Sequence, residues 1–188
     1  TKLIWAVPAK NKITVPDSVT SIADNALKAG KATSVYLGKK VKMIGKDAIA
    51  GKKITKVSIA KKNKSIAKQG QCIYEKKSGK LLIAVAKKNV VKIGNKVKLI
   101  SEDASLCGSR QLKKLDIGAS VKTLQGAWGE FYRAGYVTTT KVYFRSKNPP
   151  KLTQNNDKNY CYLPIFRDVY VPKASLKKYK KWYKKNDA

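Results

Sequence analysis

Histidine is missing from the 188 residues, which removes imidazole triads, imidazole general bases and histidine metal sites. Carboxylates are scarce too: 11 Asp and Glu stand against 42 Lys and Arg, a formal net charge of +31. Asp17, Asp24, Asp47, Glu102 and Asp103 fall in loops or turns, where a short carboxylate accepts a backbone N–H. The chain therefore reads as non-enzymatic, with no cofactor and no metal. Arginine is rare even within the basic set, occurring at 110, 133, 145 and 167. The charge is almost wholly lysine, a hydrated point charge rather than a planar fork. Sequence-specific DNA recognition relies on arginine or asparagine carried to base edges by a helix or ribbon, and no such module is legible, so nucleic acid ranks below other anions. Cys72, Cys107 and Cys161 have no C-x-x-C spacing and no histidine partner, which argues against zinc or thioredoxin-like sites. A Cys72–Cys107 bridge would require both to lie on one edge of adjacent coils. No apolar run approaches the roughly 20 residues that span a bilayer, and the opening residues lack the charged, apolar, small-residue order of a signal peptide.

What the chain has is repetition. Ile13, Val15, Val19, Ile22 and Ala26 are followed by Val35, Leu37, Val41, Ile44 and Ala48 in the same pattern. A unit of this size cannot bury its own apolar face, so such units stack into a solenoid. The last apolar residues of the strand-like triplets are Val15, Leu37, Ile59, Ile93, Ile117, Phe144 and Val171, spaced 22, 22, 34, 24, 27 and 27 by subtraction. The long gap holds Cys72 to Val85, two β-rich runs around a Lys-Ser-Gly turn, which predict an inserted hairpin over about 72–88. Lys2 to Pro8 echoes the second arm of that hairpin, so the chain reads as beginning inside an earlier copy. The glycines at 38, 45, 94 and 118 follow the repeat, not a phosphate-loop pattern, and are expected where the backbone needs φ > 0.

These residues resemble the BspA-like leucine-rich repeats of bacterial surface antigens, whose units run from a strand through Pro or Gly to Val-x-x-Ile-Gly-x-x-Ala-Phe and a following Cys. Copies fall at 13–27, 35–49, 57–66, 91–107 and 115–124, with degenerate closing units at 142–152 and 169–179. Leu27, Ile49 and Ser105 replace the usual Phe, and Asn63 replaces the apolar residue seen at Val19, Val41, Val97 and Val121, which predicts thinner, less regular stacking there. The resemblance implies one right-handed α+β repeat solenoid over residues 1–188, with the hairpin inserted and a cap over about 169–188. It also implies that Cys107 is a small buried filler, and that the chain is a secreted or cell-surface bacterial protein, a monomer, that mediates adhesion or binds a host or cell-wall protein.

Strand alternation sends the outer residues of each triplet inward and the middle one to the exposed sheet. One face then carries Thr14, Tyr36, Ser58, Lys92, Asp116, Tyr143 and Tyr170, with Lys12, Ser34, Lys56, Val90, Lys114, Lys141 and Asp168 beside them. Lys12, Tyr36, Lys56, Lys92, Lys114, Lys141, Tyr143 and Tyr170 are the expected ligand-binding residues, lysines on the charges of an anionic glycan or other polymer and tyrosines on its flat faces. The alternative is a structural spacer whose lysines are a solubilising coat. At the end, Ser175 stands where it would cap a helix with Leu176, Tyr179, Trp182 and Tyr183 on one face. This is read as a lid over the last coil in preference to a membrane-surface helix.

Overall fold

The computed structural model describes residues 1–4, 11–27, 31–49, 51, 53–109, 111–126, 141–153 and 168–186. Cys161, Arg110, Arg133, Arg167 and the echo beyond Ile4 fall outside these residues. Short strands recur as β1 (Lys2–Leu3), β2 (Lys12–Val15), β3 (Ser21–Ile22), β4 (Ser34–Leu37), β5 (Met43–Ile44) and β6 (Lys56–Ile59). Then come β7 (Ile66–Gln69), β8 (Cys72–Glu75), β9 (Leu81–Val85), β10 (Val90–Ile93), β11 (Leu99–Ile100) and β12 (Ser105–Cys107). The series ends with β13 (Lys114–Ile117), β14 (Thr123–Gln125), β15 (Lys141–Phe144), β16 (Lys151–Thr153) and β17 (Asp168–Tyr170), before a 3-10 turn (Lys173–Ser175) and helix α1 (Leu176–Asn186).

The result is a β-solenoid. Equivalent strands of successive coils pair in parallel as β2-β4-β6 and β10-β13-β15-β17 on one side, and as β1-β3-β5 and β11-β14-β16 on another. Alternation works as the sequence predicts: Ile13 and Val15 are buried while Lys12 and Thr14 are exposed. Ile59 departs from this and is only half-buried, because β6 is the last strand of its sheet and no further coil covers it.

The insertion is larger than a hairpin over 72–88. β7, β8 and β9 form an antiparallel meander that begins at Ile66. Its last arm returns to the coil by pairing in parallel with β12, Ser105 opposite Ile83 and Cys107 opposite Val85. Asn63 starts the departure. It is buried, its Nδ2 donates to Gly38 O and Val41 O at 2.9 Å, and its Oδ1 accepts the N–H groups of Ser65 and Ile66 at 2.9 Å. The expected thinning is therefore corrected: a polar network replaces the apolar contact and ties this coil to the one before it.

The meander also divides the interior. One buried cluster runs from Ile13 to Ile66 and adds Ile73, Leu82, Ile83, Val85 and Cys107. The other contains Cys72, Leu81 and Ala84 and continues through Val91, Ile117 and Phe144 to Tyr179. No disulfide joins Cys72 and Cys107, which are both buried and belong to different clusters. Their thiols donate instead to Lys92 O at 3.4 Å and Ile49 O at 2.8 Å. Burial pushes the Cys72 thiol up to about 11, which leaves it protonated and unreactive. Cys107 is the expected buried filler, though it lies in strand β12 and not in a turn.

The echo at the start of the chain is a matter of register. Lys2 pairs in parallel with Ser21, and Lys80 pairs in parallel with Leu99. Both members shift by the same number, 80 − 2 = 78 and 99 − 21 = 78. The flanking bonds follow suit: Thr1 O accepts the N–H groups of Thr20 and Ser21, and Gly79 O those of Lys98 and Leu99. Thr1 to Leu3 thus occupies the same place on its coil as Gly79 to Leu81 does on the later one.

The repeat glycines are not at positive φ, contrary to expectation; the glycines that are lie at 70, 79, 108 and 126. Gly38 and Gly45 are needed for close approach between coils. A Cβ on Gly38 would lie 2.5 Å from Pro16 O, and one on Gly45 would lie 2.0 Å from Asp24 Oδ1. The turn aspartates supply that proximity: Asp17 and Asp24 each accept, at 2.8 Å, a backbone N–H of the next coil, from Lys39 and Lys46.

Helix α1 closes the C-terminal cluster. Tyr179 is buried in it, with Trp182 and Tyr183 packed alongside. Leu176 remains exposed, and the six lysines of the helix occupy the rest of its surface.

Candidate functional site: the exposed strand face

The register places the expected residues opposite one another. Lys12, Ser34 and Lys56 are consecutive partners across β2, β4 and β6, as are Thr14, Tyr36 and Ser58. On the later coils Val90, Lys114, Lys141 and Asp168 form one row and Lys92, Asp116, Tyr143 and Tyr170 the next. The face is not one continuous ladder, however. The meander separates Lys12, Tyr36 and Lys56 from Lys92, Lys114, Lys141, Tyr143 and Tyr170, because β6 and β10 belong to different sheets. The turn between β7 and β8 fills the gap. Lys68 Nζ donates to Val57 O on β6 at 2.7 Å. Gln71 donates from Nε2 to Val90 O at 2.8 Å and accepts the Lys92 N–H at 2.8 Å on β10. A primary amide has the donor and acceptor of a peptide group, so Gln71 meets the edge of β10 as a neighbouring strand would and blunts it. Burial, followed by the neighbouring Lys87 and Lys56 charges, lowers the Lys68 pKa. No sequence rule singles out Gln71 or Lys68, since their partners are backbone groups brought near only by the insertion.

The two halves differ in chemistry. On the C-terminal sheet the charges are paired internally. Arg145 holds Asp116 through two bonds of 2.7 Å, and Lys114 Nζ lies 3.7 Å from the same carboxylate. These contacts, the Arg145 hydrogen bonds first, hold Asp116 below the usual carboxylate range and raise Arg145. Tyr143 is occupied as well. Tyr170 stacks on it at 4.4 Å and 8°, Lys114 Nζ lies 4.3 Å from its ring centroid and the Arg145 guanidinium 4.9 Å. Tyr143 is therefore the centre of an intramolecular aromatic and cation–π cluster, not an open platform.

On the N-terminal sheet the outward rows contain Lys12, Thr14, Ser34, Tyr36, Lys56 and Ser58, with no carboxylate. Lys12 Nζ lies 5.8 Å from the Tyr36 centroid, and Thr14 and Ser58, the small register neighbours of Tyr36, leave room beside its ring. An open depression of about 610 Å³ lies there, lined by Tyr36, Ile59 and Ala60 and by the charged Asp17, Lys39, Lys61 and Lys62. Asp17 is committed to Lys39, whose backbone N–H, the largest cause, pulls its pKa down; Lys39 Nζ is also 3.4 Å away. Lys39, Lys61 and Lys62 come from turns after the strands and were not among the residues expected to bind. Their place follows from the 22-residue period, which stacks 39 beside 61 (61 − 39 = 22).

Among the described residues, no group of three Cys, Asp or Glu is disposed to hold a metal ion, and no helix is long and apolar enough to cross a membrane.

Stacked parallel strands, a ladder of equivalent residues per coil and a helical lid define a repeat solenoid. Residues 8–79 match the model of the BspA type leucine rich repeat region in six copies. Over those residues the chain is similar to BspA-type leucine-rich repeats, and its parallel pairing continues past that match as far as β17. Among solved structures, a leucine rich cell surface protein from Faecalibacterium prausnitzii A2-165 is 16% identical, with a TM-score of 0.37. The alignment covers 88% of this chain and 54% of that one, so the chain spans about half the length of that protein. No curated protein matches the sequence.

Proposed function

We propose that the chain is a non-catalytic binding protein of the bacterial cell surface or its surroundings, acting as a monomer that engages an anionic polymer through the exposed strand face. The observation that supports this reading most directly is the outward face of the N-terminal sheet, where Lys12 and Lys56 stand one coil to either side of the Ser34–Tyr36 strand and the outward rows hold no carboxylate. Solenoids bind along such faces because each repeat presents its side chains in line with the next. The charge of +31 raises the local concentration of any polyanion and speeds encounter. The surface location is an expectation that the BspA-type resemblance brings, and adhesion to a host or cell-wall partner is the role such a face would serve. A spacer, by contrast, would hold no ligand at all.

The test is binding of the purified chain to sulfated glycan, teichoic acid and nucleic acid, at low salt and at about 0.15 M salt. The binding reading expects selective retention of one ligand class at the higher salt, and its loss when Lys56, Lys92 and Lys114 are all changed to Glu. Equal binding to every polyanion, vanishing with salt, would leave the lysines as a coat and favour the spacer.

A further inference from the structure

We infer that the depression beside Tyr36 is a subsite for one ring of an acidic polysaccharide, a sugar bearing sulfate or phosphate esters. The inference rests on the anionic-polymer reading above and makes it local: a ring is held on the N-terminal sheet, while lysines of both sheets meet the charges of the polymer.

Three observations point there. First, the C-terminal face spends its chemistry on itself, through the Arg145–Asp116 pair and the rings and cations gathered on Tyr143. Second, the outward rows of β2, β4 and β6 carry Lys12 and Lys56 with no acid among them, and the turns add Lys61 and Lys62, for which no ion pair occurs among the described residues. Third, Tyr36, the half-buried Ile59 and Ala60 line the same depression of about 610 Å³ as those turn lysines and Lys39, and the one carboxylate in its lining, Asp17, is held by Lys39.

That combination suits a pyranose. Its C–H face carries partial positive charge and packs on the negative face of an aromatic ring, while lysines, as point charges on flexible stems, meet ester sulfates or phosphates of varied position. Nucleic acid fits less well. Single-stranded DNA and RNA are held by successive aromatics, one per base, and the register neighbours of Tyr36 are Thr14 and Ser58. An acidic peptide adding as a strand to β6 meets the Lys68 ammonium already on Val57 O.

The probes are dextran sulfate, unmodified dextran, polyphosphate and an oligothymidylate, offered to the full chain at about 0.15 M salt. Tyr36→Ala is expected to weaken dextran sulfate about tenfold, the scale of one lost stacking contact, and to leave polyphosphate, which has no ring, within about twofold. Tyr36→Phe keeps the ring and should retain dextran sulfate. Changing Lys61 and Lys62 to Glu should weaken dextran sulfate and polyphosphate alike. Circular dichroism and the thermal midpoint confirm that each variant is folded, with Tyr36→Leu, which also lacks the ring, serving if Tyr36→Ala is not. Equal loss of dextran sulfate and polyphosphate in Tyr36→Ala, no loss of either, or an oligothymidylate affinity that depends on Tyr36 as strongly as dextran sulfate does, would each overturn the subsite. If the unaltered chain holds none of the polyanions at this salt, the binding reading itself falls. If it holds dextran sulfate, loses it in the Lys56, Lys92 and Lys114 variant, yet is indifferent to Tyr36, only the subsite falls.

Discussion

Arg145 grips Asp116 with two hydrogen bonds, Nε to Oδ1 and Nη2 to Oδ2, each 2.7 Å, across neighbouring strands of the C-terminal sheet. Among the described residues the pair is the one place on the outward face where a planar fork meets a carboxylate, and the guanidinium lies over Tyr143. Asp116→Asn keeps the shape and removes the charge. It should lower stability at pH 7 by about 1 kcal/mol, the scale of a charge-assisted pair near the surface. The sign with pH follows from the depressed pKa of Asp116. The contribution is present above the ordinary carboxylate value near 4 and is lost as pH falls through the lower folded value. Urea midpoints of the parent and Asp116→Asn should therefore differ at pH 7 and converge as pH falls below the ordinary carboxylate value. A constant difference across that range would show that the charge is not what the site uses.

Asn63 offers a test of repeat consensus against local bonding. Valine stands at the equivalent positions 19, 41, 97 and 121, so Asn63→Val restores the pattern. It also strands Val41 O and the N–H groups of Ser65 and Ile66, all now met by the asparagine, and leaves Gly38 O with the Val41 N–H alone. Unpaired buried backbone groups cost about 1–3 kcal/mol each where water cannot reach them. Asn63→Val is expected to destabilise the chain by about 3 kcal/mol in a denaturant titration, against the direction a consensus argument gives. A neutral or stabilising result would mean that the turn after β6 reorganises freely.

Glycines at the two kinds of site should respond differently to alanine. At Gly45 a Cβ would sit 2.0 Å from Asp24 Oδ1 and 2.7 Å from Asp24 N, a clash with the preceding coil that moves backbone. At Gly70, with φ at +56°, nothing lies within 4 Å, and only the left-handed conformation is penalised. Gly70→Ala should cost about 1 kcal/mol, whereas Gly45→Ala should cost more, about 2–3 kcal/mol. Paired thermal melts check the order. If Gly45→Ala proves the milder of the two, coil-to-coil contact at that turn is looser than the 2.8 Å hydrogen bond from the Lys46 N–H to Asp24 Oδ1 requires.

The solenoid was legible because its signal is periodic: Ile13, Val35 and Val57 recur every 22 residues, and each pairs with the next across the sheet. Strand alternation likewise foretold that Tyr36 and Lys12 face outward. What the sequence did not reveal lies at the insertion. Whether β7 continues the parallel ladder or turns back depends on Asn63 finding two carbonyls of the previous coil, a tertiary fact absent from any local pattern. The split of the candidate face into two sheets follows from that turn. The loss of Tyr143 as an open ring has a similar origin, since Arg145 lies beyond the triplet and reaches Asp116 only after β13 and β15 pair. The glycines misled for a further reason: close packing and positive φ both favour glycine, and only coordinates separate them.

Tyr179 decides whether α1 is a structural lid. Its ring meets Phe144 and Trp182 at 5.5 Å and 5.9 Å, and its hydroxyl donates to Ser146 O at 3.1 Å and Asn148 O at 3.2 Å. Tyr179→Phe keeps the ring and removes the hydroxyl, which should cost about 1–2 kcal/mol at pH 8. Burial pushes the phenol up to about 12, while in the unfolded chain it ionises near its ordinary value of about 10. The folded state then holds the proton longer, so stability falls as pH rises through the interval between those two values. The advantage of the parent over Tyr179→Phe should accordingly shrink from about pH 10 upward, a difference measurement in which the lysine titrations common to both proteins cancel. A membrane-surface role for α1 predicts another outcome: Tyr179→Phe would leave the melting of the β-sheet signal unchanged and alter only binding to anionic vesicles. Because Tyr179 lies within the same cluster as Leu115, Val142 and Phe144, loosening the lid should instead expose the last coil and lower the midpoint of the sheet itself.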